Sequence, residues 1–228
     1  MIRLYSYFRS SAAFRVRIAL NLKGVPYEVV PIHLLKGGGE QFGEQYVRTN
    51  PLSLIPALED AGQVLFQSLA IIEYLEERYP ERPSLFGGAI GRGVTHTFNT
   101  WVDRAIVPAM LPVIVADVHE RVDPVDEEYF RRQFEGFLKC TLEEARERAP
   151  QAHERLKRVL EPLEAALKRQ PYVCGAAPAY ADYILFSVVQ WARIMSPRVI
   201  FDTSGALYGW RSRILDLYDA FARNVQTG

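Results

Sequence analysis

Two hydroxyls stand side by side in YFRSSAAFRVRIAL, residues 7–20, as Ser10 and Ser11, and no histidine, aspartate or cysteine lies near them in sequence to act as a base. A serine nucleophile needs such a base to lose its proton. A serine that only donates a hydrogen bond does not. The pair falls where an apolar run gives way to a helical pattern, and two roles fit a serine there. One is helix capping, in which the side-chain oxygen accepts an orphan backbone N–H. The other uses the partial positive charge and open N–H donors of a helix N-terminus to stabilise an anion. In the second role the hydroxyl donates to a thiolate that arrives on the ligand, and the missing base needs no further explanation.

Two more stretches carry the same ambiguity. Ile55-Pro56, after the polar turn TNPLSL, reads either as an ordinary trans proline at a sheet edge or as a cis bond that turns the backbone outward to pair with an extended peptide. Gln67-Ser68 opens a further helix, as a second N-cap or as a second set of donors. Together these stretches describe a site for a short anionic peptide.

The elements that must position these groups follow from periodicity. Residues 2–7 read as a strand, 11–23 as a helix closed by Gly24, and 27–32 as a strand after the Pro26 turn. That order predicts a parallel βαβ unit. GGGEQFGEQYVRTNP, residues 37–51, is a glycine-rich, polar connection with room for one short helix. Residues 55–60 and 63–66 read as a hairpin around Ala61-Gly62, followed by a helix over SLAIIEYLEERY that Pro80 stops. Residues 81–93 carry proline and glycine as a linker does. Beyond them helical periodicity predicts helices at 95–120, 126–148, 151–169, 180–195 and 207–223.

Composition removes several classes of function. The 228 residues hold 27 basic and 27 acidic side chains, so no global field draws nucleic acid or an anionic membrane. No apolar run reads as approaching the ~18 residues that span a bilayer, and no signal-peptide core follows the N-terminus. A cytoplasmic location is the expectation. Cys140 and Cys174 lack metal-ligand spacing and read as two buried structural thiols; His33, His96, His119 and His153 are scattered, so no metal is expected.

YSYFRSSAAFRVRIALNLKGVPYEVVPIHLLKGGGEQF, NPLSLIPALED and QSLAIIEYLEERYP resemble the thioredoxin-like half of the glutathione transferases, most closely the zeta class. The resemblance implies glutathione as cosubstrate. By position it implies that Ser10, with Ser11 beside it, meets the glutathione sulfur and that Arg15 belongs to the glutathione site. Gln41 would approach the glycyl end, Ile55 would pair its backbone with the cysteinyl unit before cis-Pro56, and Gln67 and Ser68 would hold the γ-glutamyl carboxylate. The zeta pattern carries Ser-Ser-Cys where this chain has Ser10-Ser11-Ala12.

The helical half, through FNTWVDRAIVPAMLPVIVADVHERVDPVDEEYF and ADYILFSVVQWARIMSP, resembles the glutathione-dependent aryl-ether-cleaving transferases. An acceptor pocket there would draw on Trp101, Met110 and Trp191 for apolar surface and on Arg104, His119 and Arg193 for polarity. Each has a plain structural role as its alternative, in the core or in solvent. The expected architecture is a thioredoxin-like α/β domain at 1–80, a linker at 81–93 and an all-helical domain at 94–228. The expected activity is attack of a serine-stabilised glutathione thiolate on a small apolar or aromatic electrophile. The alternatives are cis-trans isomerisation of the maleylacetoacetate type, ether cleavage, or a binding module without catalysis. The resemblance also implies a homodimer, whose acidic Glu73, Glu76 and Glu77 would need Arg92 or Arg104 of the second copy opposite.

Overall fold

The computed structural model describes residues 1–196 and 205–222. Strands β1 (Ile2–Ser6), β2 (Tyr27–Pro31), β3 (Ala57–Asp60) and β4 (Gln63–Phe66) form one sheet in the order β2-β1-β3-β4. β1 runs parallel to β2 with Leu4 opposite Val29, and antiparallel to β3 with Leu4 opposite Leu58. The parallel pair requires a crossover, which α1 (Ser11–Lys23) supplies. Gly24, at φ 61°, ends that helix and returns its N–H to the carbonyls of Leu20 and Asn21. The β3–β4 turn places Ala61 and Gly62 at φ 49° and 79°, the pair of positive values that a two-residue hairpin turn needs.

The connection after β2 holds α2 (Glu44–Thr49), and α3 (Ser68–Arg78) covers the sheet with Ile71, Ile72 and Leu75. Helix α4 (Ala89–Trp101) begins inside the segment expected as linker. Gly91 explains the misreading: a Cβ there would stand 1.8 Å from the Phe86 carbonyl oxygen, so this glycine serves close packing rather than flexibility. α4 passes through a π turn (Val102–Ile106) into α5 (Val107–His119) without a break. Pro108 gives a reason for the wide turn. It has no N–H, and its ring would press on the Arg104 carbonyl in a regular helix.

By length and composition, residues 89–115 are long and apolar enough to cross a membrane, which corrects the expectation that no run approaches that length. In this fold Val102, Ile106, Met110, Leu111 and Ile114 of that rod lie in the core. The single helix expected at 126–148 is two, α6 (Glu127–Leu138) and α7 (Leu142–Glu147). Lys139 at φ 56° ends the first, and a reciprocal Thr141–Glu144 capping box starts the second. Then come α8 (Ala149–Leu167), α9 (Tyr180–Met195) and α10 (Ala206–Ala222). α9 is the central helix, with Ile184, Leu185, Phe186, Val188 and Val189 buried and with α1 and α4 packed against it. The two thiols expected to be buried are not: Cys140 is half-buried and Cys174 exposed.

Candidate functional site

Ser10 caps α1. Its backbone is extended (φ −97°, ψ 118°) and its Oγ accepts from the Ala13 N–H at 3.2 Å. Accepting leaves the hydroxyl proton available to donate. Ser11 is the first helical residue, and its side chain, like that of Ser10, is half-buried. Neither serine is among the residues that line the two cavities described next, although their chain neighbours are: Ala12 lines one and Arg9 the other.

The first cavity, ≈ 130 Å³, is walled by Leu52, Leu54, Ile55, Pro56, Phe66, Gln67 and Ser68 of the sheet domain, with Arg15 and Asp103 opposite. The Ile55-Pro56 bond is cis. Gln67 holds φ 74°, a left-handed value costly for a side-chain-bearing residue, and α3 opens after it with no side-chain cap. The N–H groups of the first turn of α3 therefore face a cavity rather than a serine oxygen.

Arg15 does not reach this cavity as an open cation. It is buried, and its guanidinium donates to Ser187 Oγ (3.2 Å), Asn99 Oδ1 (2.8 Å) and Asp103 Oδ1 (2.9 Å), all in the helical half. Its carbonyl accepts from the Tyr180 hydroxyl at 2.6 Å. A buried guanidinium is tolerable only when paired and hydrogen-bonded in this way. Gln41 is likewise turned away from the cavity: its Nε2 donates to the Tyr129 hydroxyl at 2.7 Å, and that hydroxyl donates to the Leu34 carbonyl at 3.0 Å.

The second cavity, ≈ 250 Å³, lies between the halves and is lined by Arg9, His33, Leu35 and Lys36 from one side and by Val118, Arg121, Val122, Asp123 and Asp126 from the other. His33 Nδ1 accepts from the Leu35 and Lys36 N–H groups at 3.2 and 2.8 Å. Burial holds this imidazole below the usual histidine range, against the opposing Glu40 charge, so the neutral ring carries its proton on Nε2. Asp123 and Asp126 are engaged by the Val125 and Gly38 N–H groups. Arg121 donates to two carbonyls, of Asp117 and Met195, neither of which neutralises it. Among the described residues, Arg9, Lys36 and Arg121 have no carboxylate in ion-pair range.

The acceptor residues expected in the helical half do not converge. Met110 is wholly within the core and presents no surface. Trp101 lines a separate apolar groove of ≈ 770 Å³ with Phe98, Thr97 and Pro162. His119 stacks on Phe130 at 5.8 Å, Trp191 packs on the core edge, and Arg104 and Arg193 are exposed. Arg92, expected to meet acidic residues of a second copy, pairs within its own chain with Glu73 and, at 3.4 Å, with Glu77; Lys23 takes Glu76 at 2.6 Å. The acidic row therefore needs no partner to balance it. Sequence reasoning missed Arg9, His33, Lys36, Arg121 and Asp103. Arg9 could have been found by its place beside Ser10, whereas Asp103 carries no local signal. No group of three or more metal-ligating side chains occurs among the described residues.

A four-stranded sheet with a cis-proline edge, followed by a helical half around a buried central helix, is the two-part architecture of a glutathione-using protein. Residues 1–77 match the glutathione S-transferase N-terminal domain and residues 93–208 the glutathione S-transferase C-terminal domain. The chain belongs to the glutathione S-transferase family. A zeta class glutathione S-transferase of Euphorbia esula is 45% identical over 54% of this chain and 54% of its own length. Maleylacetoacetate isomerase of Pseudomonas aeruginosa is 52% identical over 35% of this chain and 38% of its own. These matches span about half the length of the curated relatives, or less. A solved structure of maleyl pyruvate isomerase, a bacterial glutathione S-transferase of the zeta class, is 32% identical over 99% of this chain and 98% of that one, with a TM-score of 0.68. Glutathione transferase F2 of Populus trichocarpa, 20% identical, shares the fold over 100% of both chains with a TM-score of 0.76.

Proposed function

We propose that the chain is a glutathione-dependent isomerase of a conjugated, carboxylate-bearing cis-alkene of the maleyl type. One observation carries this reading: the cavity at Arg9, next in chain to Ser10, presents Arg9, Lys36 and Arg121, none with a carboxylate in ion-pair range among the described residues, against Asp123 and Asp126, whose carboxylates accept from backbone N–H groups. The cationic cavity favours an anionic acceptor over the apolar or aromatic one expected from sequence. The similarity to maleyl pyruvate isomerase supports the same choice.

Glutathione lies with its cysteinyl backbone along Ile55 and its γ-glutamyl carboxylate at the start of α3. A thiol of this kind has a pKa of ~8.5, and bringing it down by about two units takes about 2.7 kcal/mol of preferential thiolate stabilisation. A serine donor and the N-terminus of α1 together can supply that. The thiolate adds to one alkene carbon and forms a C–S bond, while the π pair moves onto the conjugated carbonyl as an enolate. Rotation about the new single bond follows; the enolate then collapses, re-forms the alkene in the trans geometry and expels the thiolate. No net proton or electron is consumed. Ser-Ser-Ala in place of Ser-Ser-Cys leaves the hydroxyls as the donors. The chain acts as a homodimer in the cytoplasm on this reading, and light scattering at micromolar concentration tests the dimer.

The test compares turnover of a maleyl-type dicarboxylate with turnover of chloronitrobenzene and an aryl ether, each with glutathione. Arg9→Gln should raise KM for the dicarboxylate by about tenfold or more, as for a lost charge-assisted contact, and leave glutathione affinity within a few-fold. A preference for the aryl substrates sinks the isomerase reading. A fall in glutathione affinity instead of acceptor affinity would place these cations at the glycyl carboxylate.

A further inference from the structure

His33 lines the cation-bearing cavity from the loop after β2, and its backbone is clamped at both ends. Its N–H donates to Glu40 Oε2 at 2.6 Å, and its carbonyl accepts from the Glu40 N–H at 2.9 Å. Its ring meets that of Tyr7 edge to face, 4.9 Å between centroids. The Tyr7 carbonyl accepts from the Ser10 N–H at 3.0 Å, so a single residue joins the imidazole to the start of α1. Nδ1 already accepts from the Leu35 and Lys36 N–H groups, which leaves the ring proton on Nε2, and no hydrogen bond of Nε2 occurs among the described residues. Charging the ring would bring a proton onto Nδ1 against two donors that already face it. Burial also favours the neutral ring, with Arg9 and Lys36 acting in the same direction and Glu40 and Asp126 against it. The cavity therefore holds one neutral donor among the cations Arg9, Lys36 and Arg121.

Isomerisation by reversible addition has a use for such a donor. Negative charge develops on the carbonyl oxygen as the thiolate adds, and the enolate must last long enough to rotate. A proton passed to its carbon would trap it as a saturated thioether. A neutral imidazole N–H stabilises the oxygen and keeps its proton. We propose that His33 is a catalytic residue of the isomerisation, whose Nε2–H donates to the acceptor carbonyl oxygen that becomes the enolate. This inference rests on the isomerase reading above. The C–S bond forms and breaks, the π pair moves to oxygen and returns, and the Nε2 proton stays on nitrogen throughout. The two backbone donors at Nδ1 and the Tyr7 ring position the imidazole, and the cations are left for the carboxylates.

Two amides separate the halves of the ring. His33→Asn keeps an acceptor where Nδ1 stands and removes the Nε2 donor; His33→Gln keeps a donor near Nε2 and gives up the acceptor. With glutathione and a maleyl-type dicarboxylate, His33→Asn should lower kcat roughly a hundredfold, as for a lost oxyanion donor, and His33→Gln should recover about tenfold or more of that loss. Glutathione affinity by isothermal titration should stay within a few-fold in both. An unchanged kcat in His33→Asn overturns the inference. Equal losses in the two variants also overturn it, since the ring would then only hold the loop, and so does a fall in glutathione affinity in place of kcat. If the natural chain binds glutathione but does not isomerise the dicarboxylate, the isomerase reading falls and this inference falls with it.

Discussion

Two helices of this molecule open on different caps, and the caps leave their N-termini with different things to offer an anion. α1 is capped by the half-buried Ser10, whose side-chain oxygen accepts from Ala13 N at 3.2 Å. α9 has Ala179 at its cap position, which has no side-chain oxygen to offer. Asp182 makes the half of the capping box open to it, accepting from Ala179 N at 2.9 Å, and its other oxygen takes Val173 N at 2.9 Å and Trp210 Nε1 at 2.7 Å. The first opening is capped by a neutral hydroxyl, which adds no charge opposing its positive potential. The second spends its potential on a buried carboxylate of its own. Burial pushes the Asp182 carboxyl above the usual range, against the hydrogen bonds that favour its charge. Partial burial of its sulfur, with the Asp182 charge nearby, pushes the Cys174 thiol up to about 11. A helix N-terminus activates a thiol only where no carboxylate has already claimed it.

The largest test of this contrast is at α1. Ser10→Ala should lower turnover by roughly ten- to hundredfold, as when an anion-stabilising donor is removed. It should also cost about 1 kcal/mol of stability, because the same oxygen caps the helix. Ser11→Ala removes no cap and should leave the melting temperature unchanged. Turnover lost in Ser11→Ala and kept in Ser10→Ala would move the sulfur donor one residue along.

At α9 the expected effect is a kinetic silence. At pH 8 a thiol of pKa about 11 is about one thousandth thiolate, and its greater intrinsic nucleophilicity recovers only part of the loss. Alkylation of Cys174 by iodoacetamide should run about twentyfold slower than that of a free cysteine peptide. The rate should climb about tenfold per pH unit until near the thiol pKa. Peptide mass mapping of alkylated protein follows it, and a fast reaction at pH 8 would erase the contrast.

The smallest effect comes from repairing the alanine. Ala179 has the extended backbone (φ −122°, ψ 168°) that a capping threonine adopts. Ala179→Thr should raise stability by about 0.5 kcal/mol, the low end for a cap, because the Asp182 N–H already donates to the Ala179 carbonyl at 2.9 Å. A level or falling melting temperature would show that this carbonyl suffices.

The same difference decides what was legible in sequence. Ser10, Pro56 and Ser68 lie at backbone turns and helix ends, which leave local marks in a chain; the cap and the start of α3 stand where those marks put them, while the Ile55-Pro56 bond, open between cis and trans in the letters alone, is cis as the family resemblance implied. The second cavity is assembled from side chains after β1 and β2 and around the end of α5, and no local pattern joins Lys36 to Arg121. Tryptophans drew attention by size, yet size mostly reports core: Trp210 is fully buried and Trp101 faces another groove. Gly91 read as linker because a glycine needed for close approach and one needed for flexibility look alike in a string of letters.

The π turn at Val102–Ile106 sets a phase between the two ends of one rod. One added residue in an α-helix turns everything beyond it by ~100°. That rotation lets Asp103 line the Pro56–Ser68 cavity while Val102 and Ile106 keep to the core and Met110 follows them there. Chain length at this point therefore acts as a dial that point substitution cannot turn. Relatives that gain or lose one residue here would aim a different side chain at the same cavity, and so change the ligand they recognise while their core stays in place.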